Sequence, residues 1–342
     1  MKNHRGKRTL LFPSAPHIAS AASIVSKTEA QGPLGQLFDM VLEDDTWGED
    51  SFEKAECRMF EEVVRMALTK MQRTPADLDC LFGGDLLNQI ITANYAARQL
   101  NTPFLGLYGA CSTMAESLLL GSVLVDGGFA GRVACVASSH FSTAERQYRY
   151  PLEMGTTEPE TSQRTVTGSG CVIVTEAPSP DDVFHKIRIR AGTIGRVVDL
   201  GITDAANMGA AMAPAACDTI VTHLKDLERQ VSYYDLIITG DLGRFGSEML
   251  FSLCKDRGVD LSGRHIDCGC MIFHPEQNFH CGGSGCGCSA VTLAANLLDK
   301  VESGGVQRML FLATGALLSP SATMQGESIP GIAHAVVLER ED

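Results

Sequence analysis

Gly109-Ala110-Cys111-Ser112-Thr113 follows the apolar run Phe104 to Leu107 and precedes a second, Ala115 to Val125. A cysteine between a strand and a helix lies near unpaired N–H groups and the positive end of the helix dipole, which favour thiolate over thiol. That is a nucleophile's position, although a small buried cysteine also fits a tight turn there. His140 after Ser138-Ser139, His265 before Asp267 and His280 before a glycine turn are the bases that could pair with it. His140 and His265 are the expected pocket residues, while His274 and His334 read as structural. The turn Gly282-Gly283-Ser284-Gly285-Cys286-Gly287 lacks the Lys-Ser/Thr of a P-loop and the Gly-x-Gly-x-x-Gly spacing. Its N–H groups, at the start of a helix, can still cradle a carboxylate. Gly168-Ser169-Gly170 reads as a close-packing turn.

Cys268, Cys270, Cys281, Cys286 and Cys288 crowd one region beside His265, His274 and His280. Cys-x-Cys within an apolar strand sends its thiols to opposite faces, and the Cys-x₂-Cys spacing of structural zinc is missing, so no metal is expected. Arg146-Gln147-Tyr148-Arg149-Tyr150 is cationic and aromatic in an acidic chain. It reads as a structural loop, with a partner surface or an anionic ring as the functional alternative.

The elements that must position these residues alternate in type. Ala55 to Met71 predicts a helix, Leu78 to Phe82 a strand, Asn88 to Leu100 a helix, Phe104 to Leu107 a buried strand, and Arg132 to Ser138 and Val172 to Thr175 two further strands. This rhythm predicts an α/β fold. Ala115 to Val125 is apolar on all sides, as a helix covered by other layers would be. The Pro-rich segment Ala177 to Asp182 is a linker that divides residues 1–180, with the Cys111 elbow, from residues 181–342, with the glycine turn. The two sides echo each other. Asp79-Cys80-Leu81-Phe82-Gly83-Gly84-Asp85-Leu86 matches Asp235-Leu236-Ile237-Ile238-Thr239-Gly240-Asp241-Leu242 in kind, and Gly109 to Ser138 matches Gly285 to Thr314. Two such halves can pair about a pseudo-twofold axis and bury both central helices between their sheets.

The chain has 342 residues, 44% hydrophobic and 20% charged, with a net charge of −13. That composition supports a globular core and disfavours nucleic acid, which needs a basic footprint. The longest apolar stretches, Leu118 to Val125 and Met309 to Leu318, reach about half of the ~20 residues a spanning helix needs. Pro13, Pro16 and His17 interrupt the apolar run at the N-terminus before it makes a secretory signal, so the 12 cysteines read as reduced cytosolic thiols, several of them buried.

The doubled pattern and the Gly-Ala-Cys-Ser-Thr elbow resemble the thiolase superfamily of thiolases and ketoacyl synthases. Further phrases resemble one branch of it, the stage V sporulation protein AD family of endospore formers. They include Gly32-Pro33-Leu34-Gly35, Gly84-Asp85-Leu86-Leu87-Asn88-Gln89, Thr143 to Pro151, Val166 to Gly170, Asp199 to Asp204, Met212 to Ala216, Gly282 to Cys286 and Ala313 to Pro320. The resemblance implies a layered α-β-α-β-α sandwich of two βαβαβ halves, usually a homodimer. It implies a binder of dipicolinic acid (pyridine-2,6-dicarboxylate), alone or as its calcium chelate, that takes part in its import into the forespore and in sporulation and germination. The partners implied are stage V sporulation protein A-group membrane proteins, and the location is peripheral, on the cytoplasmic side of the inner spore membrane.

In the ketoacyl synthases that this chain resembles, a His and an Asn support the thiol. Their places fall near Thr239-Gly240-Asp241 and at Gly282-Gly283-Ser284, where neither residue stands. Gly240 and Gly283 offer no side-chain donor, and Asp241 opposes an oxyanion. A missing oxyanion donor costs ~10²–10³ in rate, so the expectation is a binder with Cys111 as a vestigial nucleophile. The ligand's carboxylates are expected against Ser112, Thr113, Asn88 and the Gly283 to Gly285 backbone with Ser284, and His140 or His265 can add a positive donor. Asp85, Asp241 and Asp267 repel a bare dianion but can orient a histidine or share calcium. The rival is an acyl-transferring or condensing enzyme with Cys111 as nucleophile; a scaffold with an unused pocket is a third possibility.

Overall fold

The strand His17–Val25 (β1) is buried along its whole length, which places it in the middle of a sheet. The computed structural model describes residues 3–148 and 159–341. After β1 come Cys80–Gly84 (β2), Phe104–Gly106 (β3), Arg132–Ser139 (β4) and Gly168–Thr175 (β5). The second set is Ile187–Thr193 (β6), Leu236–Thr239 (β7), His265–Asp267 (β8), Arg308–Ala316 (β9) and Gly331–Arg340 (β10). These ten form the path β8-β7-β9-β10-β6-β1-β5-β4-β2-β3 of one sheet, with three short strands off it. From the centre outward, each set runs first, fifth, fourth, second, third. The sets meet where Arg188 pairs with His17. In each, the last strand is antiparallel to its neighbours and the outer pairings are parallel.

Three apolar clusters define the layers. Phe52–Thr69 (α1) and Ile91–Leu100 (α2) cover the outer face of the first set. Met208–Asp226 (α5) and Gly243–Lys255 (α6) cover that of the second. Between the sets lie Thr113–Asp126 (α3) and Cys286–Thr292 (α7), the latter continuing through a π turn, Leu293–Leu297, into Leu298–Glu302. The α1 helix starts where Ser51 accepts from the Lys54 N–H, and it turns Ala55, Met59, Phe60, Val63, Val64 and Ala67 inward at helical spacing. The α3 helix has no such single face, because both of its sides meet a sheet.

Several local expectations change. Phe104–Gly106 is not a buried strand: it ends the sheet, and Leu105 is 52% exposed. Cys268–Met271 is one helical turn, with Cys268 buried and Cys270 exposed. Gly168 opens β5 instead of forming a turn, and the close packing is at Gly170, against the Ala290 backbone. Arg146 to Tyr148 belong to the helix Phe141–Tyr148 (α4), not a loop, and Arg149, Tyr150 and Pro151 lie outside the described residues.

Candidate functional site

Three segment ends converge on Cys111. The elbow holds Ala110 in the left-handed region at φ 51°, followed by a single 3-10 turn into α3. Strand β9 runs directly behind it. A Cβ on Gly315 would lie 2.6 Å from the Gly109 carbonyl oxygen and 3.1 Å from the Ser112 nitrogen, so only glycine lets the strand approach this closely. Beyond β7 comes Asp241, and the glycine turn enters from the start of α7.

Cys111 lines a cavity of about 300 Å³ and is 6% exposed. Leu86, Asn88, Tyr108, Ala144, Tyr148 and Met208 form its walls, with Thr165, Ser284 and the segment 316–320 completing them. The Tyr108 hydroxyl donates to Asn88 Oδ1 at 3.3 Å, and the Tyr148 hydroxyl donates to the Leu86 carbonyl. Among the described residues, no histidine and no formally charged side chain borders this cavity.

The floor is acidic. Asp241 is fully buried and accepts from Thr314 Oγ1 at 2.6 Å, Ser284 Oγ at 3.1 Å and the Gly285 N–H at 3.1 Å. Burial pushes its carboxyl up to about 6 against these bonds, which pull it down. The Cys111 thiol lies beside Asp241 and Cys286. The Cys286 contact, then burial, then the Asp241 charge hold it well above the usual thiol value. A thiol so placed is a poor nucleophile.

The sequence-predicted residues separate into two groups. Asn88, Cys111 and Ser284 border the cavity, and Asp241 lies beneath it. Ser112 and Thr113 face inward and donate to the Gly109 and Ala110 carbonyls at 2.6 and 2.7 Å. Gly283 pairs with Arg164 in a short parallel ladder, and its carbonyl accepts from Gln163. The two histidines need correction as pocket residues. His140 Nε2 is 2.8 Å from the Asp45 carbonyl and its ring packs on Phe52; His265 Nε2 is 2.8 Å from Thr239 Oγ1, with Phe251 edge-on. Burial lowers both, His265 to about 4, so neither is a ready cation. Asp267 binds Thr239 and the Leu242 and Gly243 N–H groups, opening α6. Asp85 likewise holds the Leu87 and Ala93 N–H groups at the start of α2.

The carboxylate cradle is also corrected: Gly285 gives its N–H to Asp241 and Gly287 gives its own to Ser139 Oγ. Tyr108, Met208, Thr314 and the contact with Cys286 are absent from the sequence-derived site. The echo of Gly109 to Ser138 in Gly285 to Thr314 carried the signal for Cys286, because a pseudo-twofold axis brings those two turns face to face. All 12 cysteines are free thiols, and all but Cys57 and Cys270 are buried. Among the described residues no three His, Cys, Asp or Glu side chains are grouped to hold a metal ion, and no helix is long and apolar enough to cross a membrane.

Two equivalent halves around paired central helices, with a cysteine at the first helix's elbow, define a protein of thiolase-like fold. Solved structures of that class superpose over almost the whole chain. An OleA variant from Xanthomonas campestris gives a TM-score of 0.61 at 15% identity, covering 96% of this chain and 97% of its own. A 3-oxoacyl-[acyl-carrier-protein] synthase III from Aquifex aeolicus gives 0.58 at 15%, covering 95% and 99%. The human mitochondrial 3-ketoacyl-CoA thiolase with CoA gives 0.57 at 13%, covering 96% and 98%. At such identities the likeness establishes the fold alone. The chain belongs to the stage V sporulation protein AD (SpoVAD) family, whose description matches residues 6–339. It is 47% identical over 335 residues to stage V sporulation protein AD of Bacillus subtilis, covering 98% of this chain and 97% of that relative.

Proposed function

We propose that the cavity beside Cys111 binds dipicolinate, and that the protein takes part in bringing it into the developing spore without turning it over. The observation that carries this is the floor: Cys111 meets Cys286 and Asp241, not an imidazole and an amide. Asp241 cannot donate to an oxyanion while ionised, and the loss of a single such donor is worth ~10²–10³ in rate. Neutral donors remain around the walls. The Asn88 amide and the Ser319 hydroxyl suit two carboxylates, while Leu86, Met208 and Leu318 offer an apolar bed for a flat ring. Membership of a sporulation family supports the setting. The partners that fit it are membrane proteins of the same sporulation group, with this chain docked peripherally on the cytoplasmic side of the inner spore membrane. A homodimer through the open edge of β3 completes the proposal.

Isothermal titration with dipicolinate, with and without calcium, tests the reading. Saturable heat of one ligand per chain is expected in at least one condition, and flat traces in both remove the reading. Intact-mass analysis after incubation with acyl thioesters checks the rival: a Cys111-dependent adduct would move the assignment to catalysis.

A further inference from the structure

Cys111 and Cys286 come from the turns that open α3 and α7, and these two turns pack against each other beneath the cavity. The Cys286 sulfur is also 3.0 Å from the Ala110 carbonyl oxygen and 4.0 Å from Thr113 Oγ1, so it is held against the elbow. A second pair, Cys217 on α5 and Cys254 on α6, makes a similar thiol contact, but both residues are fully buried and neither borders the cavity. Cys111, in contrast, can be reached by any small molecule that enters. We propose that Cys111 and Cys286 form a reversible disulfide when a hydroperoxide reaches the cavity.

The neighbouring groups account for each atom of the step. The Cys111 thiol passes its proton to the Asp241 carboxylate beside it. The thiolate attacks one oxygen of the hydroperoxide, the O–O bond breaks, and a sulfenic acid forms while the departing alkoxide or hydroxide takes the proton. Cys286 sulfur then attacks the Cys111 sulfur, the S–S bond forms, the S–O bond breaks, and hydroxide leaves with the Cys286 proton as water. Two thiols are oxidised and one peroxide O–O bond is reduced. Because the buried, acid-flanked Cys111 resists ionisation, the first step is slow near neutrality and quickens as pH rises. The pairing is independent of what ligand the cavity holds.

The test treats the reduced full chain with hydrogen peroxide under native conditions, then digests it without reduction and maps the peptides. The expected result is a peptide joining Cys111 to Cys286, lighter by about 2 Da than the sum of its thiol parts and separated again by dithiothreitol. Cys286→Ser and Cys111→Ser should each abolish it; if either variant fails to fold, the wild-type map decides alone. Cys111 recovered as a free thiol while Cys217 and Cys254 become linked, Cys111 carried on to sulfinic acid, or Cys111 joined to a different cysteine would each overturn the assignment.

Discussion

At the scale of single residues, the site turns on a buried carboxylate beside a thiol. Thr314 holds Asp241 with the shortest of its bonds, 2.6 Å, from a strand buried beyond its first residue. Thr314→Val keeps the volume but leaves one carboxylate oxygen short of a partner. The expected loss is about 1–3 kcal/mol, read as a lower urea midpoint with an unchanged slope. A midpoint equal to wild type would mean that water or another side chain replaces the hydroxyl at no cost. Cys111 was visible in the sequence because its chemistry and its place before a helix coincide. Asp241 and Ser284 were also expected, but Thr314 was not: it lies far along the chain, and a partner across a pseudo-twofold axis leaves no local periodicity. His140 and His265 misled for the converse reason, since the sequence marks them as titratable but cannot show that Asp45 and Thr239 already engage them.

At the scale of elements, β3 is the exposed end of the sheet path, with Leu105 at 52% exposure. An open edge with apolar side chains is a template for another strand. Leu105→Lys places a charge there and should shift the proposed dimer to monomer in light scattering after size exclusion, with the thermal midpoint of the fold little changed. A dimer that persists with wild-type affinity would place the interface elsewhere. Helices α1 and α3 were readable from their apolar spacing. Strand β1 was not, because Ala19, Ser20, Ala21, Ala22 and Ser23 carry neither alternation nor β-branched bulk, although all are buried. Its neighbours need small residues where layers crowd together. The terminal strand β10 was missed, although Pro330-Gly331 marks a turn before it, because Gly331 to Val337 shows no clear alternation.

For the whole molecule, buried ionisable groups set the response to pH. Glu56, enclosed behind α4 with Ser138 and Thr143 donating to it, is pushed up to about 8 by burial and then by Asp85. Its folded value exceeds its unfolded one, so its stabilising contribution is complete below about pH 4 and is lost as pH rises through 8. Burial lowers His223 to about 3 and His334 to about 4, which has the opposite effect: the fold gains stability as pH rises toward about 6.5 and gains no more above it. The thermal midpoint should therefore fall between about pH 6.5 and 8, and Glu56→Gln should flatten that limb by about 2 kcal/mol. An unchanged limb in the variant would assign the loss to other groups. The α/β class was readable from the order of elements, whereas a buried carboxyl such as Glu56 looks in sequence like any polar position on a helix. The glycine turn adds one more consequence. Its amides already serve Asp241 and Ser139, so the molecule brings its own tethered competitor to the seat that a visiting acid would want. Small aliphatic acids find that berth taken, and a guest must be held by the breadth of its face against the walls.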